Sequence, residues 1–169
     1  MFLRKSGRAR EPLPVAMIGL RMGERVLQVG LANLHLMTTL AAKPGISGRS
    51  ALIVGDDRDL VRAQSAAADA GLLLEAHVAR DTFPFDDESF DVAIVHGTEG
   101  SLLECYRVLR QGGRLIALEP GTREGLSAWF RPAPAPETGM RAGLERAGFG
   151  PVRVLADREG LRFIEGLKR

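Results

Sequence analysis

Gly30 closes a short apolar run, Arg25 to Gly30, and two acids, Asp56 and Asp57, stand 26 and 27 residues further on behind a second run, Ala51 to Gly55. A glycine lets backbone approach a ligand closely, and a carboxylate after the second strand accepts hydrogen bonds from ribose hydroxyls. The pair therefore suits a nucleoside. It also has a plainer explanation in a tight turn followed by a helix whose N-terminal dipole favours a carboxylate. His96 ends a further apolar run, where an imidazole is placed to act as a base, to line a pocket, or only to bond backbone at a strand end. His35 and His77 lie far from it and have no Cys, His or acidic partner at ligand spacing, so no metal site is expected. Cys105 falls mid-helix, where a buried thiol is inert. Asp86, Asp87 and Glu88 form a charged turn before a strand, and the stretch around Ser101 contains no nucleophile elbow, which removes a serine-hydrolase reading.

Elements that would position these residues recur at regular intervals. Apolar runs alternate with helix-like stretches, the pattern of α and β units around a mostly parallel sheet. Strands are expected at 25–30, 51–55, 72–78, 90–95 and 114–119. Helices fall at 33–42, stopped by Pro44 and Gly45, and at about 59–70, stopped by Gly71. Ser101 stands at an N-cap position, with Leu102, Leu103, Tyr106 and Leu109 on one helical face before Gln111, Gly112 and Gly113 turn the chain. A helix over 138–147 and an antiparallel hairpin of 152–155 with 161–165 complete the pattern. The proline-alternating stretch 131–136 reads as an extended connector, with Trp129 and Phe130 beside it as a core or partner contact.

With 169 residues, 45% of them apolar and 26% charged, the chain suits one globular domain that needs no disulfide or metal staple. A single cysteine and the lack of a long apolar segment point to a cytoplasmic protein. The net charge of +2 leaves no global nucleic-acid footprint. Local asymmetry is confined to Arg4, Lys5, Arg8 and Arg10, which read as a solvated arm or as a contact for RNA, acidic lipid or an acidic partner.

The segment Phe83-Pro84-Phe85-Asp86-Asp87-Glu88-Ser89-Phe90-Asp91-Val92, with Arg107-Val108-Leu109-Arg110-Gln111-Gly112-Gly113-Arg114-Leu115 and Glu119-Pro120, resembles the class I S-adenosylmethionine-dependent methyltransferases. The likeness is to the type 11 group, which includes the quinone-biosynthesis enzymes, and it extends from about Met22 to the C-terminus. It implies an α/β, Rossmann-like sheet of seven strands with the last antiparallel and helices on both faces. One methyltransferase-like domain would occupy 13–169 behind a basic flexible arm, 1–12. S-adenosylmethionine would lie across the ends of strands one, two and four. Carried over by position, Gly30 is the first glycine of the cofactor loop, with Gln28 and Ala32 beside it, and Asp56 or Asp57 is the ribose acid. Asp81 and Thr82 fall near the adenine, and His96 with Gly97 would line the methyl-donor side.

Departures from the family pattern are specific. Gln28 stands where an acid is usual, Ala32 and Leu34 replace two glycines, Ala79 replaces the adenine-side acid unless Asp81 takes over that role two residues later, and the link from Val95 to Arg107 is short. Loss of one charge-assisted bond and a steric defect at Leu34 would weaken cofactor binding by about two to four powers of ten. The sequence thus leaves open a methyltransferase of unknown acceptor and an inactive relative that works as a scaffold for a protein partner. An RNA-associated module using the basic arm is a third reading.

Overall fold

The computed structural model describes residues 12–97, 101–121 and 139–169. Seven strands form one sheet: β1 (Arg25–Val29), β2 (Arg49–Val54), β3 (Glu75–Val78), β4 (Phe90–His96), β5 (Leu109–Pro120), β6 (Val152–Arg158) and β7 (Leu161–Leu167). Their order is β3-β2-β1-β4-β5-β7-β6. The first five strands are parallel, and β7 runs antiparallel to both neighbours, as expected for the last strand. Strand order reverses between β1 and β4, so the crevice at the carboxyl ends of these two strands is where such a sheet holds a ligand.

Helices cover both faces because the inner strands are apolar on both. In β4, Val92, Ala93, Ile94 and Val95 are all fully buried, the condition of a central parallel strand. Leu27, Ala93, Val95 and Leu115 face α4 (Leu102–Val108) and α5 (Met140–Arg146). On the other face Val26, Val92, Ile94 and Ile116 meet α1 (Leu13–Ile18) and α2 (Leu34–Ala42), while α3 (Asp57–Asp69) packs over Leu52 and Val54 through Ala63. Each such valine, leucine or isoleucine side chain contributes about 1.5–3 kcal/mol by leaving water.

Several expectations need correction. β3 begins at Glu75 rather than residue 72, and Leu73 is exposed. In α4 the buried residues are Leu102, Cys105 and Val108; Leu103 points to solvent, and Leu109 already belongs to β5. The turn expected at 111–113 is a bulge within β5. Pairing with β4 slips between Phe90 and Val92, and a Cβ at Gly113 would lie 2.8 Å from the Arg110 carbonyl oxygen, so only glycine fits the kink. The helix expected over 138–147 occupies 140–146. Helix α1 has no counterpart among the expected elements; Pro12 precedes it, Pro14 lies in its first turn and left-handed Gly19 ends it. Trp129, Phe130, the proline stretch and residues 1–11 lie outside the described residues.

Candidate functional site

Gly30 decides the geometry where β1 ends. Its φ is +83°, and its amide donates to the Ile53 carbonyl at 2.8 Å, extending the ladder to β2 by one bond. A Cβ here would stand 3.0 Å from the His96 carbonyl oxygen and 3.3 Å from the His96 Cβ. Conformation and the crossing of β4 both demand glycine. The chain then passes Leu31 and Ala32 to Asn33, whose side chain accepts from the Leu36 amide at 2.7 Å and starts α2. A cleft opens on each side of this turn.

The smaller cleft, about 360 Å³, lies at the ends of β1, β2 and β3, with Gly30, Gly55, Arg80, Asp81, Phe83 and Ser101 on its wall. Glu104 also reaches it but is committed: it accepts from the Phe83 amide at 2.7 Å and from Arg107 at 2.7 and 3.0 Å, and Arg107 holds its carboxyl below the ordinary range. Asp81 is the exposed acid of this wall. The Ser101 hydroxyl is buried beside the Cys105 thiol and makes no cap bond to α4. Thr82 sits beside Asp81 but outside the lining.

Asp56 and Asp57 are not on either wall. The Asp56 carboxylate caps α3, accepting from the Asp59 amide at 2.8 Å, and Asp57 is exposed in the first helical turn. β2 instead offers Val54 and Gly55 to the cleft, and at Gly55 a Cβ would meet nothing within 4 Å.

The larger cleft, about 480 Å³, lies at the ends of β1, β4 and β5 beneath the start of α1. Its apolar wall comes from Pro14, Val15, Leu31, Leu36, Leu118 and Leu161, and its polar groups include Asn33, Thr39, His35, His96 and Glu119. Ala32 and Gly97 complete the rim. Burial pushes the His96 imidazole down to about 4, so the ring is neutral at physiological pH and is a weak base. The side chain of Glu119 receives Arg162 Nη1 at 3.4 Å, while the same guanidinium gives two shorter bonds, 2.9 and 3.0 Å, to Asp157.

Gln28 and Leu34 face away from both clefts. Gln28 is 1% exposed; its Nε2 donates to the Met37 carbonyl at 3.1 Å, and its Oε1 is buried without a partner. The obstruction expected at Leu34 is absent, because its side chain packs with Met37, Leu52, Val54 and Ala63 between α2 and α3. His77 is half-buried, edge-on to Phe85 at 5.5 Å and 3.3 Å from Glu75. Burial, reinforced by the charge of Glu104, pushes the Cys105 thiol up to about 12, leaving it unreactive. Sequence reasoning missed the α1 residues on the larger cleft. The signal was present in a proline start, apolar Val15 and Ile18 three apart, and a glycine stop.

Comparison with known proteins bears on the same crevice. No curated protein matches the chain in sequence. Among solved structures, a SAM-dependent methyltransferase from Aquifex aeolicus superposes with a TM-score of 0.74 at 19% identity, over 92% of this chain and 88% of that one. The cyclase SpnF gives 0.64 at 18%, over 91% and 77%. A chain of the Haloferax volcanii complex containing the Trm112 methyltransferase activator gives 0.64 at 18%, over 90% and 86%. At such identities these likenesses speak for the fold. The sequence of residues 27–117, which runs from within β1 to within β5 and holds every described lining residue of the smaller cleft, matches the type 11 methyltransferase domain, and the chain belongs to that family.

Proposed function

We propose that the chain binds S-adenosylmethionine across the two clefts, with the nucleoside in the smaller and the methionyl arm reaching the larger, where a small acceptor also binds. The observation that carries this reading is the placement of both clefts on either side of the Gly30 turn, at the point where strand order reverses. The residues fit a nucleoside. Asp81 and the buried Ser101 hydroxyl supply polar contacts, and Gly55 leaves room. The bound cofactor supplies an electrophilic methyl group. Gly30, Ala32 and Gly97 shape the passage between the clefts, His96 offers a neutral ring to the donor side, and the apolar wall excludes water. Gln28 acts from behind, tying β1 to α2 through Met37, and Asp56 caps α3 beside the smaller cleft.

In this reading 13–169 works as one domain with 1–12 as its arm, and the buried single cysteine suits the cytoplasm; no helix among the described residues is long and apolar enough to cross a membrane. A second reading, a scaffold that engages a protein partner without turnover, draws support from Gln28, which stands where the family usually has an acid and is buried with its Nε2 on the Met37 carbonyl. Calorimetric titration with adenosylhomocysteine separates the two. Saturable binding below about 100 μM is expected for the transferase, and no heat at millimolar ligand overturns it.

A further inference from the structure

Helix α1 has six residues and supplies Pro14 and Val15 to the larger cleft, with Pro12 just ahead of it, whereas no described lining residue of the smaller cleft comes from it. So short a helix does not persist through its own backbone bonds, since isolated helices below about 12–15 residues are marginal in water. Val15 and Ile18 press it onto the sheet among Val26, Val92 and Ile116. Apolar contact of this kind is non-directional and does not by itself fix the helix along its axis. A directional hold comes from β5. Arg114 Nη1 donates to the Ile18 carbonyl at 2.8 Å and Nη2 to the Gly19 carbonyl at 3.0 Å, which caps the C-terminal end of α1 with a cation. Glu24 Oε1 stands 3.7 Å from the same guanidinium and helps to orient it.

We propose that Arg114 is a positioning residue for the larger cleft: by capping α1 from β5 it fixes where Pro14 and Val15 stand relative to Leu118, and so sets the room a ligand finds there. Arg114 is not on the wall itself, since Leu118 lies about 13 Å further along the extended strand. Through Leu118 and Glu119, β5 supplies one wall of the cleft, and through Arg114 it holds the other. The planar fork matters, because bonds to two successive carbonyls define an orientation that a lysine ammonium does not. The inference rests on the transferase reading only where it names the ligand, the methionyl arm of the cofactor.

Arg114→Met removes the donors and keeps an unbranched stem, and Arg114→Lys restores the charge without the fork. Hydrogen–deuterium exchange reads the hold directly. In Arg114→Met the Ala16 and Gly19 amides, which donate to the Pro12 and Val15 carbonyls, should exchange about ten-fold faster, with partial recovery in Arg114→Lys. The Gly30 amide, on the Ile53 carbonyl, should keep its protection and so confirm the fold. Calorimetry with adenosylhomocysteine and with methylthioadenosine, which lacks the amino-acid arm, reads the cleft. Arg114→Met should bind the first about five- to thirty-fold more weakly and the second unchanged. Unchanged exchange at Ala16 and Gly19 overturns the proposal, as does an equal loss for both nucleosides or for neither. Where the parent chain binds neither nucleoside, the transferase reading fails instead, and NMR titration of His96 becomes the readout of the cleft. Burial on that wall holds the ring at about 4; loosening α1 admits water and should raise it toward 6.5, whereas an unmoved titration overturns the proposal.

Discussion

At the scale of the residue, His96 couples the site to stability. Burial lowers its pKa from 6.5 to about 4, so between those values the unfolded chain binds a proton that the folded chain does not. Stability therefore falls as pH drops through this window, by up to about 3 kcal/mol, and the loss levels off below pH 4. Urea unfolding at a series of pH values checks it, and His96→Asn should flatten most of the slope. An unchanged slope in the variant means that the ring is not the titrating group. Asp91 acts in a separate range. Although burial opposes its charge, hydrogen bonds from Arg25 and Arg110 hold it well below ordinary carboxylates, so its stabilisation is lost only on further acidification. Gln28 marks the opposite case, a polar side chain with no titration and one unpartnered oxygen, kept within the core by its bond to α2.

At the scale of the element, the floor of the smaller cleft depends on a latch between α4 and the loop before β4. Arg107 donates to the Phe83 and Phe85 carbonyls at 3.1 and 2.8 Å and to Asp87 at 2.7 Å, and Glu104 takes the Phe83 amide. One guanidinium thereby satisfies a loop that has no ladder of its own. Arg107→Met should cost about 1.5–3 kcal/mol, since it leaves two carbonyls and Glu104 without their main donor. The more specific consequence is local: the Phe83 amide should exchange with deuterium markedly faster in the variant. Retained protection there would show that the loop stands without the latch. Lys168 works similarly at the end of α4, with Nζ on the Leu109 carbonyl at 2.7 Å and over the Tyr106 ring.

At the scale of the whole molecule, the two clefts are formed by ends of strands that the sequence separates widely, so a ligand spanning both joins segments distant along the chain. Adenosylhomocysteine at a hundred times its dissociation constant should stabilise the fold by about 2.7 kcal/mol and raise the melting temperature by roughly 5–10 °C. A melting temperature indifferent to the ligand would argue against binding to the folded state. Much of this architecture was legible beforehand. Apolar runs ending in glycine or histidine located β1, β2 and β4, and the Phe83 to Val92 and Arg107 to Leu115 segments carried the family, because burial on both faces and a fixed turn chemistry leave direct marks on residue type. Spacing along the chain could not say which way a side chain points once its element packs. Leu34 turned into the α2–α3 contact, Asp56 took the N-cap of α3, and Gln28 was buried beneath α2. Nor could it pair Glu119 with Arg162, which lie 43 residues apart and meet only because β7 returns antiparallel along β5. Sequence alone determined the sheet and the end of it that holds the clefts, since hydrophobic patterning is local. Tertiary structure decided which polar groups remain available in those clefts, because that depends on which of them the surrounding packing has already satisfied.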